Sequence, residues 1–277
     1  MQNRSFWKEI WLLLICIFMG IGIMTTVLSF LPIRSDVVRM HVTQWLQTIL
    51  VMLVPALFWY RMRFGKNPFR TFCLMTCRWK HLLLTLVLMV VSVPAMDMLT
   101  VFNYTMPMPE ALRTLAMQMR TENIAAVSKL LSVGGIGGMV ELVMLMAVAT
   151  AIAEETLFRG ALVKCFELTR LNRHWTAILV GMIFSIVHFD PLGFIPRWVL
   201  GTLFCYILFW TGTLWAPILA HATNNAVALA QYEMSAGEAS VENLLNQSKL
   251  TFTWPVIGAS VIVSAFIILI MCRNNKL

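Results

Sequence analysis

The sequence predicts an all-α fold, a polytopic helical bundle of about eight transmembrane helices. Hydrophobic residues make up 59% of the 277 and charged residues only 12%, against about 45–50% and about 25% in soluble domains. The apolar residues come in long runs, whereas a membrane barrel would show short alternating segments. The 21 Lys and Arg against 13 Asp and Glu are expected as loop bias in a membrane protein rather than as a nucleic-acid surface.

At roughly 20 apolar residues per crossing, spans are expected near 10–31, 42–60, 82–101, 139–163, 174–190, 197–213, 216–232 and 253–272. Arg4 and Lys8 before the first run imitate a signal peptide, but the run is too long and has no small-residue cleavage site, so it is read as a span. With a cytoplasmic N-terminus, the inside segments carry 14 of the Lys and Arg and the outside segments seven. That asymmetry places both termini in the cytoplasm.

Between spans, residues 102–132 carry helix formers with periodic apolar positions, as expected of an amphipathic interfacial helix on the outer side. Residues 233–252 are acidic and polar, a solvated loop. The cluster Gly134-Gly135-x-Gly137-Gly138 is expected to serve flexible backbone or close helix packing. Cys73-x3-Cys77 lacks the second pair of a metal site. Cys165 and Cys205 are packing residues, and the cysteines as a set offer no disulfide framework. His41, His81 and His174 lie at span ends and Glu141 near the outer interface. Trp175, Trp198, Trp210, Trp215 and Trp254 fit an aromatic belt.

The feature that points to function is the pair Glu154-Glu155 at the end of an apolar stretch from Val143 to Ala153. A carboxylate within a membrane costs roughly 3 kcal/mol on insertion scales, so an acidic pair there marks a site. Three i,i+4 pairs follow in the same half: Glu155 with Arg159, Phe184 with His188, and His221 with Asn225, each on one helix face. The midpoint of 154 and 188 falls in the turn Arg170–Arg173, so an antiparallel hairpin puts Glu154 and His188 at one depth. By helical rise the glutamates lie one to two turns below the cytoplasmic face, and His221 and Asn225 about 5–15 Å in.

A buried carboxylate beside an imidazole suits deprotonation of water, and a second imidazole with a carboxamide suits an oxyanion. Glu154 and His188 are therefore the candidates for activating water, His221 and Asn225 for stabilising the oxyanion. Glu155 balances Arg159. No cofactor is required by this scheme. Glu154, His188 and His221 would also make a zinc site with an open position, although no H-E-x-x-H helix occurs. Ser185 has no G-x-S-x-G elbow.

In order and spacing, Glu154-Glu155-Thr-Leu-Phe-Arg159-Gly160, Phe184-x-x-x-His188, and Leu214-Trp215-Ala-Pro217-Ile-Leu-Ala-His221-Ala-Thr-Asn-Asn225 resemble the E-E-x-x-x-R, F-x-x-x-H and H-x-x-x-N motifs of the CPBP intramembrane proteases. That family includes the type II C-a-a-X prenyl endopeptidases and bacteriocin-processing or immunity proteins. The resemblance covers roughly 140–232. It implies a bundle with a cytosol-accessible cavity, and it carries the same roles to Glu154, His188, His221 and Asn225. The chain then divides into 1–138, three spans plus an extracytoplasmic interfacial segment; 139–232, the catalytic helices; and 233–277, a loop and the last span, all one structural unit.

The expected substrate is a hydrophobic or lipidated peptide or protein reached among membrane lipids, with no nucleic acid involved. The compact loops suggest a bacterial cytoplasmic membrane. Two other classes fit the same residues. An ion-coupled transporter would show repeats and broken helices in both halves, and a non-catalytic immunity protein would keep the fold alone.

Overall fold

A computed structural model of the chain describes residues 5–65, 78–132, 135–234 and 246–273. Ten helices are described: α1 Phe6–Phe30, α2 Asp36–Phe64, α3 Trp79–Val91, α4 Val93–Thr105, α5 Glu110–Leu131, α6 Gly135–Phe166, α7 Arg173–Ile186, α8 Pro191–Thr211, α9 Trp215–Met234 and α10 Trp254–Arg273. No strand occurs among the described residues. The molecule is a polytopic membrane helical bundle.

Five helices (α1, α2, α6, α8 and α10) are long and apolar enough to cross a membrane, and the α3–α4 pair, bent by 46° at Ser92, brings the number to six. The two remaining expected spans differ for physical reasons. Helix α7 has only 14 residues, about 21 Å of rise against a hydrocarbon core of about 30 Å. Helix α9 has 20 residues, but His221, Thr223, Asn224 and Asn225 lower its apolar character.

Outward faces are apolar, as lipid requires: Phe18, Ile262 and Phe266 are exposed. Two buried clusters lie inside. One joins Leu13, Trp59, Phe158, Val180, Phe184 and Ile218 across α1, α2, α6, α7 and α9. The other joins Leu88, Phe204, Ala216, Ala220 and Met271 across α3, α8, α9 and α10. The polar groups of the site fall where these clusters meet.

Helices α7 and α8 form the tightest pair, because Gly181 and Gly201 let their backbones touch. A Cβ on Gly181 would stand 2.6 Å from the Thr202 nitrogen and 2.9 Å from the Trp198 carbonyl oxygen, and one on Gly201 would stand 3.0 Å from Gly181 Cα. Small residues at such a crossing replace the hydrophobic drive that is missing between helices in lipid. Gly181→Val should lower resistance to denaturation by about 1–3 kcal/mol, measured by unfolding in mixed micelles. In the glycine cluster, Gly135 and Gly137 have open space around them, and Gly134 lies outside the described residues.

The other predicted features sort as follows. Helix α5 is indeed helical over the segment read as interfacial, with Leu112 and Leu115 exposed and Ala116 and Arg120 buried. His174 is exposed and bonds the Tyr206 hydroxyl at 2.7 Å. His41 is buried, with Nδ1 2.7 Å from Glu141 and Nε2 3.0 Å from the Leu130 carbonyl. Trp45 donates to the same Glu141 at 3.0 Å. Cys73, Cys77 and most of 233–252 lie outside the described residues.

Candidate active site

Glu154 and Glu155 end an α-helical segment of α6, Thr150–Glu155, flanked by π-helical stretches at Val143–Ala149 and Thr156–Leu162. Wider turns of this kind concentrate at functional sites. Successive residues on a helix point to different sides, and here the two carboxylates acquire different surroundings.

Glu155 is completely buried, and its Oε1 accepts from Arg159 Nη1 at 2.8 Å and lies 2.8 Å from His221 Nδ1. Arg159 Nη2 donates to the Gly201 carbonyl at 2.7 Å, anchoring α6 to α8. The guanidinium also lies over aromatic rings, 4.7 Å from the Phe184 centroid and 5.2 Å from that of Phe204. Coulomb attraction, two charge-assisted hydrogen bonds and two ring faces together offset its desolvation. The expectation that Glu155 balances Arg159 describes this geometry.

His221 is 4% exposed. Because Nδ1 faces a carboxylate, the network assigns the Nδ1 proton as the donor to Glu155. Nε2 then points to Glu154 Oε2, 3.8 Å away. Phe204 stacks on the imidazole at 5.3 Å and 24°, and Phe184 meets it edge-on at 5.7 Å and 83°. The ring is held in plane and in rotation.

Glu154 is 6% exposed, and its Oε2 is buried with no hydrogen-bond partner. A buried unpaired carboxylate oxygen costs on the order of 1–3 kcal/mol or more. Such an expense is expected where a substrate atom is to be received. The 3.8 Å gap to His221 Nε2 is too long for a direct bond, but it suits an oxygen lying about 2.8 Å from each atom.

His188 follows the last turn of α7. Its Nδ1 lies 2.7 Å from the Phe184 carbonyl oxygen, so Nδ1 carries the proton and Nε2 keeps its lone pair. Its ring lies 4.8 Å from that of Phe184, which also touches His221, and it lies within electrostatic reach of Glu154 and of His221. The structure thus brings Glu154, Glu155, Arg159, Phe184, His188 and His221 together.

Asn225, one turn after His221, donates through Nδ2 to the Met146 carbonyl at 3.0 Å. That carbonyl belongs to the π-helical stretch of α6, where the ladder leaves oxygens available. Asn225 therefore ties α9 to α6, with its second amide hydrogen uncommitted. Ser185 is buried and donates to the Phe194 carbonyl at 2.7 Å, a packing role.

Helix α6 runs 12 residues beyond Glu154 to Phe166, about 18 Å, and His188 lies 15 residues after Arg173, where α7 starts, about 22 Å. The two match each other, as the count about residue 171 requires. His221 is only six residues into α9, and the turn before it is itself buried in the protein, with Thr213 and Leu214 each 2% exposed.

Among the described residues, no three His, Cys, Asp or Glu side chains converge closely enough to hold a metal ion.

Sequence reasoning passed over Phe204, which forms one wall of the site. An aromatic inside an apolar span carries no signal of its own. It also passed over Asp190, Arg197 and Arg120, whose only sequence signal is charge beside or within the apolar half.

Residues 137–227 match the family model described as type II CAAX prenyl endopeptidase Rce1-like. The match spans about a third of the chain and contains every residue of the constellation. It supports assignment to the CPBP/CAAX protease family. No curated protein and no solved structure matches the chain.

Proposed function

We propose that this membrane protein, with its CAAX endopeptidase-like segment over 137–227, is an intramembrane endopeptidase that hydrolyses a peptide bond of a membrane-associated or lipidated substrate. The observation that carries this reading is the unpartnered Oε2 of Glu154 facing His221 Nε2 across 3.8 Å. It is a gap shaped for one oxygen, set among groups able to take and give a proton.

In the proposed reaction a water molecule donates to Glu154 and to the Nε2 lone pair of His188. Glu154 takes the proton as the water oxygen attacks the scissile carbonyl carbon. The developing oxyanion accepts from His221 Nε2–H, with Nδ1 kept on Glu155 at 2.8 Å, and from the free amide hydrogen of Asn225. The carbon–nitrogen bond then breaks and Glu154 returns its proton to the leaving amine. Water is consumed, an acid and an amine are released, and the side chains end as they began.

A site built among membrane-spanning helices favours substrates that are already in the bilayer. A soluble peptide would lose its hydration on entry, whereas a lipidated or apolar one is concentrated there. In proteoliposomes, purified protein should cleave a lipidated or strongly apolar peptide and spare a polar peptide of equal length, with the same rate after treatment with a strong chelator. Loss of cleavage on chelation, restored by zinc, would replace the side-chain scheme with a metal-dependent one. Substrate-driven ion flux without cleavage would replace the enzyme reading with a transporter.

A further inference from the structure

The corner between α7 and α8, residues 187–191, carries His188 and is fastened from three sides. Phe189 has φ +49°, the one positive φ at a non-glycine residue among those described. A bulky side chain in that region is a true outlier and persists only where the surroundings over-determine it.

The surroundings are specific. Three successive carbonyls each accept a side-chain hydrogen bond: Phe189 from Asn123 Nδ2 of α5 at 3.5 Å, Asp190 from Arg197 Nη1 of α8 at 3.3 Å, and Pro191 from Asn103 Nδ2 of α4 at 3.0 Å. Asn103 Oδ1 also accepts from the Ile195 amide at 2.5 Å. At the centre, the Asp190 carboxylate lies between two arginines, 2.5 Å from Arg197 Nη2 and 3.4 Å from Arg120 Nη1. Asp190 and Arg120 have side chains only 10% and 7% exposed. Gly193 makes room for them, since a Cβ there would stand 2.6 Å from Arg197 Nη2 and 2.8 Å from Asp190 Oδ2.

We infer that Asp190, held by Arg197 and Arg120, is a positioning residue that fixes the strained corner and through it the direction of the His188 ring. The inference rests on the hydrolytic reading of His188 only for its effect on rate. The geometric claim is separate. With Asp190 removed, Phe189 can relax toward negative φ, and the chain direction at His188 turns with it while His221, held by Glu155 and Phe204, stays in place. The damage should therefore fall on one of the two imidazoles and on the chemical step rather than on substrate binding.

Two measurements on the full-length protein in detergent or proteoliposomes test this. The first is the rate at which diethyl pyrocarbonate modifies His188 and His221, read separately by mass spectrometry. Asp190→Asn should change the His188 rate at least about threefold and leave the His221 rate within experimental error. Unchanged rates at His188, or equal changes at both histidines, would overturn the inference whatever the protein cleaves. The second is the kinetic split: kcat for a cleaved peptide should fall at least about tenfold in Asp190→Asn with KM nearly unchanged, and Asp190→Glu should recover part of it. A rise in KM alone would contradict a positioning role. A wild-type protein that cleaves nothing while His188 still responds to Asp190→Asn would sink the hydrolytic reading and leave the clamp standing.

Discussion

Arg159→Ala should cost about 3–5 kcal/mol of stability, the amount typical of removing one partner from a buried ion pair. The guanidinium has three separate attachments, to Glu155, to the Gly201 carbonyl and to the faces of Phe184 and Phe204. Its loss leaves Glu155 charged, fully buried and neutralised only through His221. It also leaves a backbone carbonyl without its donor. Arg159→Lys should recover little, because an ammonium on a shorter reach does not span Glu155 and Gly201 at once with a planar fork. Reversible unfolding in SDS mixed micelles measures the difference. A loss under about 1 kcal/mol for Arg159→Ala would mean that the pair is not the anchor described here.

Glu154→Gln should behave in the opposite way, with cleavage reduced by about 10²–10⁴-fold, the range for loss of a positioned general base, and stability kept or slightly raised. The side-chain size is unchanged, and no group donates to the Oε2 that is replaced. His221 Nε2 stands 3.8 Å away, beyond hydrogen-bond reach, so the substitution relieves desolvation without breaking a hydrogen bond. Glu155→Gln, by contrast, keeps the acceptor oxygen but removes the charge that holds both Arg159 and His221, so it should lose stability and activity together. Adjacent residues of the same type thus divide into one that binds the protein to itself and one left free for a substrate. A Glu154→Gln protein as unstable as Glu155→Gln would erase that division.

Composition alone made the fold class readable, since no soluble or barrel chain carries such runs of apolar residues. The site was readable for a different reason. Spacing of four on a helix is local information, and the hairpin count about residue 171 adds one long-range constraint, so Glu154, His188 and the Glu155–Arg159 pair could be placed relative to each other.

What local information cannot supply is distortion. A regular helix turning about 100° per residue would set Glu141 about 40° from Glu155. The π-helical stretch Val143–Ala149 between them changes the register, and Glu141 instead pairs with His41 and Trp45 of α2. The bond from Asn225 to Met146 depends on the same distortion, which leaves no mark in residue type. Phe204 and the Asp190 clamp depend on which helices become neighbours, and close approaches such as Gly181 against Gly201 carry no motif that announces them.

The most direct test of the account is the single-turnover cleavage rate of Glu154→Gln in proteoliposomes, measured against wild type at equal amounts of folded protein. The prediction is a fall of about 10²–10⁴-fold with normal substrate binding and an unfolding midpoint no lower than wild type. Cleavage by the folded Glu154→Gln protein within about threefold of the wild-type rate would contradict it, because the water would then be activated by something other than this carboxylate.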